Sequence, residues 1–192
     1  SDLIASRQSA GKTYAEACQW QLASPMPKNV KSKIVKHIES DFDCQLLFSA
    51  LDSHIARDVE EKFARAGFIV VSNASAFRMA PDVPLIIPEV NADHLQLIEI
   101  QKKNHGLSSG FIVTNPNCST VPLAMVLHPL HQQFGVAKTM VTTMQAISGA
   151  GYPGLPSLNI LSNVIPFIQG EEAKIETETH KILGKMTTAG VE

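Results

Sequence analysis

The chain has 192 residues, of which 44% are hydrophobic and 18% are charged, and its net charge is -2. These values are typical of a globular protein and exclude a disordered or fibrous chain. The near balance of charge gives no electrostatic reason to expect nucleic acid or an anionic membrane as a partner.

The first half of the chain predicts strands and helices in alternation. Residues 28–36 alternate lysines with apolar residues, which indicates a solvated strand face rather than a nucleic-acid patch. Residues 43–51 are a short apolar run with polar ends, typical of a buried strand. Residues 53–66 place apolar side chains four apart on one helical face, and Gly67 follows as a C-terminal cap. Residues 68–72 predict the next strand, which completes a βαβ unit.

The same alternation continues towards the middle of the chain. Residues 83–90 resemble a strand, although two prolines in this stretch favour an edge strand or an irregular segment. Residues 92–104 predict a helix, and residues 110–114 predict another strand. Strands and helices in this order predict a doubly wound α/β sheet.

The sequence changes character after Asn117. Residues 139–147 predict a strand rich in β-branched residues, residues 148–157 form a Gly/Pro-rich loop, and residues 171–183 predict a charged helix. We therefore place a domain boundary near Asn117 and predict two domains, residues 1–117 and 118–192.

One cysteine stands between a predicted strand and a predicted helix, in the sequence Asn-Pro-Asn-Cys-Ser-Thr that ends at Thr120. Ser119 and Thr120 are capping residue types, and Pro122 suits a first helical turn. Cys118 would then lie at a helix N-terminus, where the dipole favours a thiolate, the form that attacks carbon. The alternative is a small buried residue, the usual role of cysteine.

The other two cysteines, Cys18 and Cys44, are expected to be packing residues of that kind. An odd number of widely spaced cysteines argues against a disulfide framework and favours a reducing, cytoplasmic setting. The first residues lack the features of a secretion signal. No apolar run approaches the ~18 residues that span a bilayer, so no membrane-spanning segment is predicted.

Four separated motifs resemble those of the aspartate-semialdehyde dehydrogenase family. They are SNASAFRMAPDVPLIIPEVN, TNPNCST, QAISGAG and GEEAKIETETHKILG, in this order, within a resemblance that extends from Leu3 to Gly184. Glyceraldehyde-phosphate dehydrogenases carry a SCTTN-type motif at the cysteine, and acetylglutamyl-phosphate reductases a PGCYPT type. The resemblance implies a Rossmann-like dinucleotide-binding sheet, here lacking its first strand, followed by part of an α+β catalytic and dimerisation domain.

The family reduces 4-aspartyl phosphate with NADPH to aspartate semialdehyde and phosphate, through a cysteine thioester. This is a step towards lysine, methionine and threonine. The resemblance therefore implies NADP as cofactor, with NAD left open. It also implies a small-molecule substrate, inorganic phosphate and a homo-oligomer, either a dimer or a tetramer.

The resemblance also implies roles for individual residues. Arg78 is similar to the family's phosphate-binding arginine, whose guanidinium can grip two phosphate oxygens at once; a solvated surface arginine is the alternative. The implied substrate site consists of the nucleophile Cys118, the orienting residue Gln145, the phosphate ligands Arg78, Asn117 and Lys174, and the amino-group ligand Glu171. Glu172 competes with Glu171 for that last role, and Glu171 with Lys174 also suits a simple helix-stabilising pair. We predict that Arg78, Asn117, Cys118, Gln145 and Lys174 converge on one cleft.

Cofactor contacts are implied in two further places. A first group, after a strand near the N-terminus, would bind the 2′-phosphate of NADP, and a glycine-containing loop would approach the nicotinamide. The implied cofactor residues are Ser6, Arg7, Ser9, Ser49, Ser148 and Gly149. His128 and His131 are three apart, but no third ligand stands at a recognised spacing, so no metal site is predicted.

The family pattern also contains parts that this sequence lacks. They are a Gly-rich pyrophosphate-binding turn before Leu3 and an acid/base histidine beyond the GEE-type helix. We therefore expect the 192 residues alone to turn over little substrate. An acyl-CoA reductase of the malonyl-CoA type on the same scaffold, and a non-catalytic binding or oligomerisation module, are the alternative functions.

Overall fold

The computed structural model describes residues 2–39, 41–188 and 190–192. They divide into two compact units, Ser1–Gln45 and Leu46–Glu192. In the first unit, strands β1 (Leu3–Ala5) and β2 (Val35–His37) form a parallel pair. The short helices α1 (Tyr14–Ala17) and α2 (Lys28–Lys31) lie between these strands in the sequence. The prediction of a strand over residues 28–36 was therefore wrong for its first half, which is helical.

The second unit contains a three-stranded parallel sheet, as the alternating pattern predicted. Its strands β3 (Leu46–Ser49), β4 (Ile69–Ser72) and β5 (Phe111–Thr114) are adjacent in that order. Helix α3 (Ser53–Arg65) joins β3 to β4 and confirms the predicted βαβ unit. The register aligns a row of hydroxyl side chains at the carboxyl end of the sheet: Ser49, Ser72 and Thr114.

Strand β3 is shorter and more exposed than predicted. It forms an edge of the three-stranded sheet, because only β4 pairs with it among the described residues. Leu46 and Phe48, which point to the same face of the strand, are exposed, Phe48 to 79%. The description of residues 43–51 as a buried strand was wrong, since an apolar run does not reveal whether both of its faces are covered.

Residues 83–90 do not form a strand, because a proline within them begins a helix. Leu85 makes an isolated parallel bridge to Thr114. Pro88 then starts helix α4 (Pro88–Asn91), at the position where its fixed φ and missing N–H cost nothing. A 3-10 turn over Ala92–Gln96 leads into helix α5 (Leu97–His105), so the predicted helix over residues 92–104 is confirmed with an irregular first turn.

A buried glutamine occupies the outer edge of β5. Gln101 donates from Nε2 to the carbonyl oxygen of Ile112 (3.0 Å) and accepts from the Ile112 N–H (2.7 Å). The Thr114 N–H donates to the carbonyl oxygen of Pro84 (2.9 Å). These contacts satisfy backbone groups that would be costly to bury unpaired. One hydrophobic cluster, made of Ala64, Val70, Val83 and Ile112, packs against this region.

Two long helices follow the sheet and pack against each other. Helix α6 spans Thr120–Phe134 and helix α8 spans Glu171–Leu183, the latter as predicted. A second hydrophobic cluster, made of Leu85, Ile87, Ala124 and Ile182, joins them to the segment before α4. After α8 the chain forms a small antiparallel pair, β6 (Met186–Thr187) with β7 (Gly190–Val191). In the part of the chain that is described, no helix is long and apolar enough to cross a membrane.

The segment between α6 and α8 differs from the prediction. Residues 139–147 were expected to form a strand, but residues 136–146 have no regular structure. Met140 is 100% exposed and Met144 is 98% exposed. A strand needs a hydrogen-bonded neighbour, and no described residues pair with this segment. A 3-10 turn over Ile147–Ala150 and the short helix α7 (Ser157–Ile160) are its ordered parts.

Candidate active site

The loop between β5 and α6 presents Cys118 to solvent. Cys118 is exposed, whereas Cys18 and Cys44 are half-buried. It lies two residues before Thr120, the first residue of α6. The loop is shaped by Asn117, whose side-chain Oδ1 accepts from the Ser119 N–H (2.7 Å) and whose carbonyl oxygen accepts from the Thr120 N–H (3.0 Å). The predicted placement of the thiol at a helix N-terminus is therefore confirmed.

A carboxylate at the start of α8 holds this loop from the other side. Glu171 is 8% exposed and accepts three hydrogen bonds. The donors are Asn117 Nδ2 (3.1 Å), Ser119 Oγ (3.3 Å) and Gln145 Nε2 (3.0 Å). A buried carboxylate needs such partners, and the helix N-terminus adds favourable charge. Glu172 is exposed, so the geometry favours Glu171 as the residue that faces the cysteine loop.

A large cavity of about 1540 Å³ brings most of the predicted substrate residues together. Asn117, Cys118, Gln145, Glu171 and Lys174 all line it. A smaller cleft of about 370 Å³ next to Cys118 is lined by Gln145, Ser148 and Gly149 among others. The convergence predicted from the sequence is thus found for four of its five residues: Asn117, Cys118, Gln145 and Lys174.

Arg78 is placed differently from the prediction. Arg78 is not among the described residues that line the large cavity. Its side chain is 11% exposed, and its Nη1 pairs with Glu178 Oε1 at 2.9 Å. Its Nη2 donates to the carbonyl oxygen of Asn73 (2.7 Å). Arg78 is connected to the cysteine loop through Glu178, because Glu178 Oε2 also accepts from the Asn117 N–H (2.6 Å).

Sequence reasoning missed two residues of α8 that lie beside this site. They are Glu178 and Lys181, whose Nζ donates to the carbonyl oxygens of Arg78 (2.7 Å), Ala80 (2.6 Å) and Val83 (2.8 Å). Burial lowers the pKa of Lys181 to about 8, against a smaller opposing effect of Asp82. The signal that could have found them is helical spacing, since positions 171, 174, 178 and 181 fall on one face of α8.

The residues implied in cofactor binding lie in both units. In the first unit, Ser6, Arg7 and Ser9 lie in the turn directly after β1, and Arg7 is exposed, with Glu39 3.9 Å from its guanidinium. In the second unit, Ser49 ends β3, and its buried Oγ has no hydrogen-bond partner among the described residues.

His128 and His131 both lie on helix α6. His128 is half-buried and His131 is exposed. Among the described residues, no group of three or more His, Cys, Asp or Glu side chains is placed to hold a metal ion.

Comparisons with known proteins relate both halves of the chain to one family. The family described as semialdehyde dehydrogenase, NAD binding domain, matches residues 1–98, and the semialdehyde dehydrogenase dimerisation domain matches residues 127–191. Aspartate-semialdehyde dehydrogenase from Archaeoglobus fulgidus is 54% identical over 191 residues, which cover 99% of this chain and 55% of that protein. The enzyme of the same name from Schizosaccharomyces pombe is 48% identical and covers 97% of this chain and 53% of its own length.

Solved structures show the same relationship. Aspartate semialdehyde dehydrogenase with NADP from Candida albicans has a TM-score of 0.85 and 39% identity, over 97% of this chain and 53% of that one. Aspartate semialdehyde dehydrogenase II complexed with ASA from Vibrio cholerae has a TM-score of 0.63 and 31% identity, over 95% and 53% of the two chains. The chain spans about half the length of the relatives that it matches.

Proposed function

Because the chain belongs to the semialdehyde dehydrogenase family, we propose that it forms the nucleophile-bearing part of an NADP-dependent aspartate-semialdehyde dehydrogenase. The relatives carry this name, and one of them was solved with NADP. The observation that supports the proposal most strongly is the exposed Cys118, held at the start of α6 by a loop that hydrogen-bonds to the buried Glu171.

The proposed chemistry begins with the Cys118 thiolate, which attacks the carbonyl carbon of 4-aspartyl phosphate. A C–S bond forms, the bond from that carbon to the phosphate oxygen breaks, and inorganic phosphate leaves. The resulting thioester accepts a hydride, which NADPH would supply when bound, and its C–S bond then breaks, so that the aldehyde is released and the Cys118 thiolate is restored. The covalent step divides one difficult displacement into two easier ones.

The residues around the thiol suit the two ends of this substrate. Lys174 lines the cavity, and the guanidinium of Arg78 is linked to the cysteine loop through Glu178, so these two cations are the proposed ligands of the leaving phosphate. Glu171 has three neutral donors and no cation as partners in the described contacts, which leaves its charge available to the substrate ammonium group. Gln145 donates to Glu171 and lines the cleft beside Cys118, where it can orient the substrate carbonyl.

The residues present also fit NADP. The exposed guanidinium of Arg7 and the neighbouring hydroxyls of Ser6 and Ser9 suit a ribose 2′-phosphate. The unpartnered Ser49 hydroxyl lies at the carboxyl end of a parallel strand, the usual edge for a ligand in such sheets. Gly149 lines the cleft beside Cys118, where a missing side chain allows close approach of a nicotinamide ring.

We also propose that the protein acts as a homo-oligomer, as a dimer or a tetramer. The match of residues 127–191 to a dimerisation domain supports this proposal. Large apolar side chains exposed on the segment between α6 and α8, such as Met144, Leu158 and Phe167, offer surface for such contacts.

The test is an activity assay on a version of the chain extended at both ends with the matching segments of the Archaeoglobus fulgidus relative. We expect NADPH formation from aspartate semialdehyde and phosphate, and a loss of at least about 10³-fold in the C118S variant. The C44S variant is the matched control and should keep its activity. Faster reduction of malonyl-CoA than oxidation of aspartate semialdehyde would identify an acyl-CoA reductase instead, and phosphate or NADP binding without turnover would identify a binding module.

A further inference from the structure

The Glu178 carboxylate contacts both Arg78 and the Cys118 loop, two parts of the site that are far from it in the sequence. Its side chain is 2% exposed, and its two carboxylate oxygens serve two different segments. Oε1 accepts from Arg78 Nη1 (2.9 Å), and Oε2 accepts from the backbone N–H of Asn117 (2.6 Å). Asn117 directly precedes Cys118, so one carboxylate touches both the arginine and the loop that carries the thiol.

We infer that Glu178 is a positioning residue, which fixes the Arg78 guanidinium relative to the Cys118 loop so that the arginine can bind the leaving phosphate. This inference rests on the proposed function. Each oxygen of Glu178 accepts a hydrogen bond from a protein donor. Its effect on the reaction would pass through Arg78 and Asn117.

The remaining contacts of Arg78 leave its guanidinium little freedom. Nη2 donates to the carbonyl oxygen of Asn73, and Nε is buried without a hydrogen-bond partner among the described residues. A planar guanidinium held at both terminal nitrogens has a defined orientation. Glu178 supplies one of those two restraints and is its charged partner.

Lys181, one turn further along α8, restrains the backbone of the same segment. Its ammonium group donates to the carbonyl oxygens of Arg78, Ala80 and Val83. Helix α8 therefore holds the arginine at both ends, at the guanidinium through Glu178 and at the backbone through Lys181. The packing of Ile182 against Leu85 and Ala124 keeps this face of α8 in place.

A buried ion pair is by itself weak evidence for a stabilising role, because desolvation offsets the attraction between its members. A carboxylate that is shared between two distant segments instead fixes the position of one segment relative to the other. The alternative to a positioning role is competition, in which the negative charge of Glu178 weakens phosphate binding to Arg78. The two roles predict changes of opposite sign in phosphate affinity when Glu178 is neutralised.

The first experiment measures phosphate binding on the 192-residue chain through protection of Cys118 from iodoacetamide by inorganic phosphate. The E178Q variant is nearly isosteric and keeps an oxygen for only one of the two donors. We expect the phosphate concentration for half protection to rise about tenfold in E178Q and to stay unchanged in E89Q, because Glu89 is exposed and is not among the described residues that line either cavity. An unchanged or lowered value in E178Q, or no protection of the unsubstituted chain, would overturn the inference.

The second experiment separates positioning from a general loss of structure. In the extended version, E178Q should raise the KM for phosphate about tenfold while kcat changes by less than about threefold. In an R78A background, E178Q should add no further increase, because residues that act through one group are not additive. Independent, additive effects would contradict positioning through Arg78. If the extended version is inactive with aspartate semialdehyde while the protection results hold, the proposed function fails and the role of Glu178 at the phosphate site stands.

Discussion

Two regions line the same cavity in very different ways. Residues 115–134 and 171–183 are packed together, and Glu171, Glu178 and Ile182 are buried. Residues 136–169 carry the other wall, yet Met140 and Met144 are almost fully exposed. This segment is linked to Glu171 by the hydrogen bond from Gln145 Nε2 to its carboxylate (3.0 Å) and by the bond from the Glu171 N–H to the carbonyl oxygen of Ile168 (3.1 Å).

The difference in packing affects different parts of the proposed active site: the nucleophile loop lies in the packed region, and the substrate-orienting and nicotinamide-facing residues lie in the exposed segment. Within the packed region, the buried carboxylates of Glu171 and Glu178 position the loop of the proposed nucleophile through hydrogen bonds to Asn117. Gln145, Ser148 and Gly149 stand on a segment whose apolar side chains have little packing of their own. We therefore expect substitutions in the packed region to cost stability, and matched substitutions in the segment to cost almost none.

The largest effect is expected at Gly110, directly before β5, where the backbone of Ala64 and Phe68 leaves no space for a side chain. A Cβ at this position would overlap the carbonyl oxygen of Ala64 and lie 2.7 Å from that of Phe68. We expect G110A to lower the free energy of unfolding by about 3–5 kcal/mol, because backbone atoms must move to admit the methyl group. Urea denaturation measures this, with G149A as control, since a Cβ at Gly149 meets nothing within 4 Å. Equal costs for the two variants would contradict the comparison.

A somewhat smaller effect is expected for Ile182, which is 1% exposed in the cluster that joins α6 and α8. Truncation to alanine removes buried methyl groups and leaves a cavity, which costs about 3 kcal/mol in cores of this kind. The matched variant is I147A, because Ile147 is 53% exposed in the loosely packed segment. A loss for I147A as large as that for I182A would show that residues 136–169 are packed after all.

Lys181 gives a pH-dependent version of the same comparison. Its folded-state pKa of about 8 lies below its ordinary value of 10.5 because burial disfavours the charged form. The unfolded chain therefore binds more protons between these pH values, and stability should rise with pH from about 8 to about 10.5. After allowance for partial exposure, we expect the free energy of unfolding of the unsubstituted chain, minus that of K181M, to increase by about 2 kcal/mol over this range.

The control for this measurement is K138M, since Lys138 is exposed in the segment between α6 and α8. The gap between the unsubstituted chain and K138M should stay constant over the same pH range. If the free energy of unfolding of the unsubstituted chain, minus that of K181M, decreases as pH rises, Lys181 is stabilised in its charged form, contrary to the burial that we describe.

Local patterns predicted the elements whose signals are local. The periodic apolar face of residues 53–66, with Gly67 after it, indicated α3, and the apolar runs before and after it indicated β3 and β4. Cys118 was placed at a helix N-terminus because capping residues and Pro122 follow it. The prediction of a strand over residues 139–147 was wrong for the opposite reason. A strand requires a neighbouring strand, and no described residues provide one for this segment.

Other features depended on contacts between distant parts of the chain. The two prolines in residues 83–90 indicated an edge strand or an irregular segment, and the structure has a single bridge from Leu85 to Thr114 followed by a helix from Pro88. The pairing of Arg78 with Glu178 spans 100 residues, so sequence patterns alone gave no reason to connect the two. The spacing of Glu171 and Glu178 on α8 was visible, but its meaning depends on Asn117, which contacts both.

The central claim is that Cys118 is the nucleophile, and its reactivity tests that claim most directly. The 192-residue chain is treated with limiting iodoacetamide near neutral pH, and modification of each cysteine is followed by mass spectrometry. Cys118 is exposed at a helix N-terminus, whereas Cys18 and Cys44 are half-buried, so we expect Cys118 to react at least about tenfold faster. Equal rates for all three cysteines, or faster modification of Cys18 or Cys44, would contradict the account.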